Sequence, residues 1–306
     1  MGGGERNSPA FSTGRIYAAS FYAQNNALQT VIGAPFGQSQ VDRGYWMHGV
    51  GSFGHANGSD FNTKGFVIGK GFNVTSNLVV GGAVSNVYTS TQSGSSSVDG
   101  TSFGGLVYGI YTANRLNVSI DAAVGHLGNR IHRYLPGLGW LAQSANNGAY
   151  EGLGAKVQYN LWSGGHISLV PYAQLNYLHT NLGSAQETNE GILNLRYNAM
   201  TTNLAQARAG LTTGYSVPVR YGILTSWVSL GGLGSFGNPH VVTTENLGAF
   251  TARETALQAP AKAFAPDVGI QLTGKAKAWR LTATWGGIFS SKTNAENFSL
   301  QADWKW

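Results

Sequence analysis

The nine residues Phe298-Ser-Leu-Gln-Ala-Asp-Trp-Lys-Trp306 alternate without a break, apolar at 298, 300, 302, 304 and 306 and polar between. Side chains along a strand point to opposite faces, so this segment offers one greasy face and one wet one. The same alternation runs through 116–124, 153–161, 205–211, 268–272 and 279–285. A soluble sandwich alternates too, but several of these segments continue for 12–18 residues, as from 77 to 91 and from 165 to 180. Soluble strands usually stop near 5–6 residues, whereas strands tilted through a bilayer need about 9–11. Length and alternation together point to a transmembrane β-barrel.

Composition agrees. Only 10% of the 306 residues are charged and 44 are glycine, against roughly 25% and 7% in ordinary soluble domains. Hydrophobic residues make up 42% and aromatics 11%, which excludes a disordered chain. A membrane helix would need about 18 or more consecutive apolar residues, and the longest candidate is a stretch such as 78–84. The net charge of +6 comes from 19 Lys and Arg spread singly, with no three in a row, so no nucleic-acid partner is expected. The absence of cysteine suits an oxidising envelope.

Twelve strand-like segments can be counted, near 46–53, 61–71, 77–91, 98–113, 115–131, 148–163, 165–180, 200–217, 220–233, 261–274, 278–291 and 294–306. An even number closes an antiparallel barrel. Tight connections at 73–77, 114, 163–165, 218–221 and 274–277 should alternate with long ones at 92–99, 132–147, 181–199 and 237–260. The tight turns would then face the periplasm, together with both ends of the barrel. Glycines 69, 81, 105, 109, 125, 154, 210, 269 and 286 fall on the polar face, where small residues leave room in a narrow lumen. The same face carries Asp121, Lys156, Gln174, Arg208, Asp267 and Arg280, charges or amides that lipid would not tolerate.

Residues 12–33 lack the period of two. Tyr17, Phe21, Leu28 and Val31 follow helical spacing, Ser12 or Thr13 can cap the start, and Gly33 with Pro35 ends it. About 20 helical residues span about 30 Å, one hydrocarbon thickness. The expectation is an all-β, twelve-stranded antiparallel barrel with an N-terminal helix threaded through its lumen. Residues 1–11 would be a flexible start of engineered origin, 12–45 a linker helix and its connection, and 46–306 the barrel. Met1-Gly-Gly-Gly carries no secretory signal, so the chain reads as the C-terminal piece of something longer.

The order of these parts resembles the autotransporter translocator domains of type V secretion. The resemblance rests on the helix at 12–33, Gly44-Tyr-Trp-Met47, Lys64-Gly-Phe-Val-Ile-Gly69, Val170-Pro-Tyr-Ala173 and the ending Ala302-Asp-Trp-Lys-Trp306, and covers residues 12–306. It implies a monomer in the outer membrane of a Gram-negative bacterium, surrounded by lipid, that supports export of an attached passenger to the cell surface. It also implies that Phe298, Trp304 and Trp306 form the signal read by the barrel assembly machinery, although the family's frequent glycine five residues before the end is Gln301 here. Some members cleave their linker at an Asn-Asn pair with the help of lumen carboxylates. By that resemblance Asn25, Asn26 and Asp121 are the candidates, while the other two acidic positions hold Lys156 and Gln174.

Other motifs weigh against catalysis and cofactors. Gly49-Val-Gly-Ser-Phe-Gly54 and Gly232-Leu-Gly-Ser-Phe-Gly237 match a dinucleotide fingerprint, but neither is followed by a helix. The seven histidines lack metal-ligand spacing, so no metal or cofactor is expected. His166 and Ser168 share a strand face, as in outer-membrane phospholipases, although there the pair faces lipid and here it would face the lumen. The alternatives to a translocator are therefore a diffusion porin and, further off, a barrel hydrolase.

Overall fold

The computed structural model describes residues 13–36, 44–94, 96–135, 140–189, 191–237, 240–248, 250–257, 259–275 and 278–304. One α-helix, α1 (Thr13–Gly33), runs into a short 3-10 turn at Ala34–Phe36. The strands are β1 (Gly44–Ala56), β2 (Ser59–Asn73), β3 (Leu78–Ser93), β4 (Ser96–Ala113), β5 (Leu116–Leu135), β6 (Trp140–Tyr159), β7 (Trp162–Gly164), β8 (Ile167–Leu182) and β9 (Ala185–Gln186). There follow β10 (Arg196–Tyr197), β11 (Met200–Val219), β12 (Gly222–Gly237), β13 (His240–Leu247), β14 (Phe250–Leu257), β15 (Lys262–Phe264), β16 (Asp267–Gly274), β17 (Trp279–Phe289) and β18 (Thr293–Trp304).

Twelve antiparallel staves close the barrel: β1–β6, β8, β11, β12, β17 and β18, with β15 and β16 sharing the twelfth on either side of Ala265-Pro266. Proline cannot donate to a ladder, which accounts for the break there. β18 pairs with β17 on one side and β1 on the other, setting Tyr45 opposite Trp304 and Ala56 opposite Thr293. Register then fixes the faces. In β5, Ile120 and Val124 are outward and exposed while Asp121 and Ala123 are inward and buried. The last strand behaves as its pattern requires, with Phe298 and Leu300 outward and Asp303 buried.

Outward aromatics including Tyr45, Phe72, Tyr111, Tyr159, Tyr215 and Trp279 gather at the end of the barrel where the short turns lie. Such a band marks a membrane–water interface. The turn at Asn114 uses a left-handed backbone (φ 50°), which asparagine tolerates better than other side-chain-bearing residues.

Three expectations need correction. The connections expected to be long at 92–99 and 132–147 are mostly strand: β3 reaches Ser93, β4 restarts at Ser96, β5 reaches Leu135 and β6 restarts at Trp140. Twenty residues at about 3.3 Å each, tilted by about 45°, climb roughly 45 Å against a hydrocarbon layer about 30 Å thick. The projecting ends need no apolar outer face, so their sequence loses the alternation. The two remaining long connections are not irregular either, since β9, β10, β13 and β14 form a second, four-stranded sheet at that mouth. Finally, Gly105 and Gly109 face outward, because the inward residues of β4 are the even ones, such as Leu106 and Tyr108.

Candidate functional site

The helix α1 lies inside the barrel, with Ile16, Phe21, Leu28, Val31 and Ile32 all buried. It touches β13 and β14 and packs chiefly on the wall formed by β1–β6. That wall is shaped to receive it. A methyl group on Gly152 would overlap Ile32 Cδ1, and one on Gly154 would lie 2.7 Å from Ile32 Cγ2. Gln24 occupies the space over Gly100 in the same way.

Two polar side chains of the helix, Gln24 and Asn26, find polar partners on the wall, whereas among the described residues the buried Ser20 hydroxyl and the Gln29 amide do not. Asn26 Nδ2 donates to Ser52 Oγ and to Asn297 Oδ1, each at 3.1 Å. Gln24 Nε2 donates to Asn129 Oδ1. Asn129 Nδ2 passes the chain on to Asn146 Oδ1 at 3.2 Å, and Asn146 Nδ2 to the Gly183 carbonyl at 3.0 Å. An apolar patch completes the contact, where Tyr22 meets Phe61 edge-on at 5.5 Å beside Ala23, Ala56 and Ala295.

The helix is off-centre. Between it and β8, β11, β12 and β16–β18 lies a cavity of about 280 Å³ lined by Gln29, Thr30, Gly33, His48, Lys156, Tyr172, Gln174, Arg208 and Asp267, among others. Lys156, Gln174 and Arg208 are cross-strand neighbours, Gln174 standing opposite both. Arg208 pairs with Asp267 and donates to the Ala265 carbonyl at 2.7 Å. Tyr172 lies between the two cations, 5.4 Å from Lys156 Nζ and 5.8 Å from the Arg208 guanidinium carbon. Arg280 Nε donates to Asp303 Oδ2 at 2.8 Å. Four of the six lumen residues read from the sequence, Lys156, Gln174, Arg208 and Asp267, line the cavity, while Arg280 and Asp121 are buried elsewhere on the inward face.

Asp121 sits beside Ile32, since a methyl on Gly154 would lie 2.6 Å from Asp121 Oδ2 and 2.7 Å from Ile32. Asn25 is seven residues earlier on the helix, a rise of about 10 Å. The structure does not bring Asp121 to the Asn25-Asn26 pair. Lys156 and Gln174 are likewise level with the helix end, Gln174 Nε2 being 3.4 Å from where a Gly33 side chain would begin.

His166 and Ser168 lie at the short-turn rim, and His166 Nδ1 donates to the Ser216 carbonyl at 2.8 Å rather than to Ser168. Both glycine fingerprints lie within strands, β1 and β12. Trp304 stacks on Tyr45 at 6.3 Å and Phe298 on Phe53 at 5.7 Å; Trp306 lies outside the described residues.

Sequence reasoning missed a buried cluster at the opposite mouth. Arg133 clamps Glu187 through both carboxylate oxygens and donates to the Leu193 carbonyl at 2.9 Å. Glu187 also accepts from Tyr197 Oη and the Leu195 amide, each at 2.8 Å. This joins β5 to the connection between β8 and β11. No local pattern announces it, because Arg133 and Glu187 are 54 residues apart.

The sequence profile described as the autotransporter beta-domain matches residues 45–286. No curated protein matches the chain. Among solved structures, the translocator domain of the autotransporter NalP from Neisseria meningitidis superposes with a TM-score of 0.75 at 14% identity, covering 95% of this chain and 99% of that one. The beta domain of the Bordetella autotransporter BrkA gives 0.63 at 15% identity, covering 87% and 100%. The transport unit of the autotransporter AIDA-I from Escherichia coli gives 0.57 at 14%, covering 94% and 99%. At these identities the structures speak for the fold.

Proposed function

The chain belongs to the autotransporter beta-domain family, and from that premise we propose how this outer-membrane translocator domain is arranged around its passenger. The passenger precedes α1, and α1 is the last stretch of its path through the barrel. The short-turn rim and both ends of the barrel face the periplasm, while the β9, β10, β13, β14 sheet stands over the external mouth. The protein works as a monomer, with its outward face in lipid. Phe298, Trp304 and Trp306 are the residues offered to the barrel assembly machinery. Domains of this family are generally not catalytic, and we assign the lumen residues a binding role.

The observation that carries this reading is the fit of α1 to the lumen: side-chain hydrogen bonds from Asn26 to Ser52 and Asn297, and Ile32 seated over two glycines. A soluble tail caught by chance would not match inward polar groups in this way. Asp121, Lys156, Gln174, Arg208, Asp267 and Arg280 face the wet interior that the linker must traverse, where Arg208 is neutralised by Asp267 and Arg280 by Asp303.

Planar-bilayer recordings test the arrangement. Deleting residues 1–40 should raise conductance several-fold by emptying the lumen of its helix. A large, stable conductance that the deletion leaves unchanged would sink the plug and favour a diffusion porin.

A further inference from the structure

Lys70 faces outward from β2, three residues before the strand ends at the short-turn rim. Among the described residues it takes part in no ion pair. Its ammonium donates to Tyr45 Oη at 3.1 Å and stands 4.6 Å from the Tyr45 ring centroid and 5.0 Å from that of Phe72. Both rings belong to the outward aromatic band. A lysine at this level can extend past the rim into water, yet here it folds sideways onto two rings.

Next to it the wall is hollowed. Lys70 stands opposite Gly82, Val84 opposite Gly105, and Val107 opposite Ala122, so three small residues lie diagonally across β3, β4 and β5. They make the floor of an apolar groove of about 590 Å³, with Val84, Val107 and Val124 standing out beside it and Lys70 and Tyr45 at its short-turn side. Nothing in the backbone demands glycine there: a Cβ at Gly105 would come no nearer than 3.7 Å to its surroundings, and one at Gly82 no nearer than 3.6 Å.

We propose that this groove binds one anionic diacyl phospholipid, an acyl chain lying over Gly82, Gly105 and Ala122 and the phosphate held by Lys70. On the outward face of a barrel only acyl chains can fill an apolar trough, and the band where Lys70 sits is where headgroups begin. The lone cation selects the sign. A zwitterionic lipid carries its own counter-charge, whereas an anionic headgroup leaves a phosphate to be neutralised. The assignment rests on the short-turn rim facing the phospholipid leaflet, but binding itself can be read without any membrane orientation.

The purified full chain in neutral detergent is mixed with equal amounts of phosphatidylglycerol and phosphatidylcholine, and retained lipid is counted by native mass spectrometry. One phosphatidylglycerol per chain should be kept, preferred about fivefold, the effect of one basic residue near an anionic headgroup. Lys70→Gln should bring the two lipids close to parity. Gly105→Val, at a position where a Cβ meets no clash, should reduce retention of both. Lys64→Gln is the control, an outward lysine that also lies over a tyrosine ring but does not line this groove, and should change nothing. Folding of each variant is checked by heat-modifiable migration. Equal retention of the two lipids, equal loss in the two lysine variants, or displacement by inorganic phosphate alone would each overturn the site. None of these results bears on the conductance test of the plug.

Discussion

Trp46 Nε1 donates to Tyr108 Oη at 2.8 Å, and the two rings meet edge-on at 5.9 Å inside the barrel near its short-turn end. Each ring lies over a glycine of a neighbouring strand, Trp46 over Gly69 and Tyr108 over Gly81. Trp227 over Gly269 and Tyr150 over Gly125 repeat the arrangement. Inward glycines are thus seats for aromatic rings as much as open space, a device that stiffens strands which glycine would otherwise loosen.

Replacing Gly81 with valine should therefore displace the Tyr108 ring and strain the pair. Overpacking of this kind costs about 1–3 kcal/mol. Urea midpoints in detergent, followed by tryptophan fluorescence, should fall. Gly105→Val, on the outward face of the next strand, should leave the midpoint nearly unchanged.

Glu187→Ala leaves the buried Arg133 guanidinium without its partner, a loss of about 3–5 kcal/mol for an ion pair out of water. The pair ties a connection to the barrel rim, so the loss should be local. Trypsin cleavage after the exposed Arg196 should quicken by at least about tenfold, in line with that local opening. Heat-modifiable migration of the barrel should stay as it was. Equal protection of Arg196 in both proteins would show that the rim does not depend on this pair.

The bond between Asn25 and Asn26 should survive folding. The nucleophile would be the Asn25 side-chain amide attacking its own carbonyl, and Asp121, level with Ile32, lies about two helical turns away from it. Intact mass after refolding into micelles should equal that of the whole chain. A fragment that starts at residue 26 would instead restore self-cleavage, with acids other than Asp121 assisting.

The barrel was legible because lipid imposes a strict rule on every second residue. Phe298, Leu300 and Asp303 reveal their faces from sequence alone, and so do Asp121, Lys156 and Arg208. Legibility fades where that rule stops applying. Beyond the bilayer, Ser93 and Ser96 can be strand without any outward apolar partner, so the ends of β3 and β4 read as loop. Gly105 and Gly109 were misassigned for a related reason, since a residue without a side chain has no polarity to betray its face and only the register of Leu106 and Tyr108 decides. The pairing of Arg133 with Glu187 needs two distant segments to meet, which no local period encodes.

Closure of the ring between β1 and β18 also works as a length check. Residues 294–304 have a partner on either side, so a chain that stopped before them would leave two strand edges bare at once. Their unpaired N–H and C=O groups would face hydrocarbon, which offers neither donor nor acceptor. A partly made chain cannot settle as a smaller version of the same barrel. Unpaired backbone alone thus disfavours an incomplete copy in the membrane, independently of any reading of the last aromatic residues.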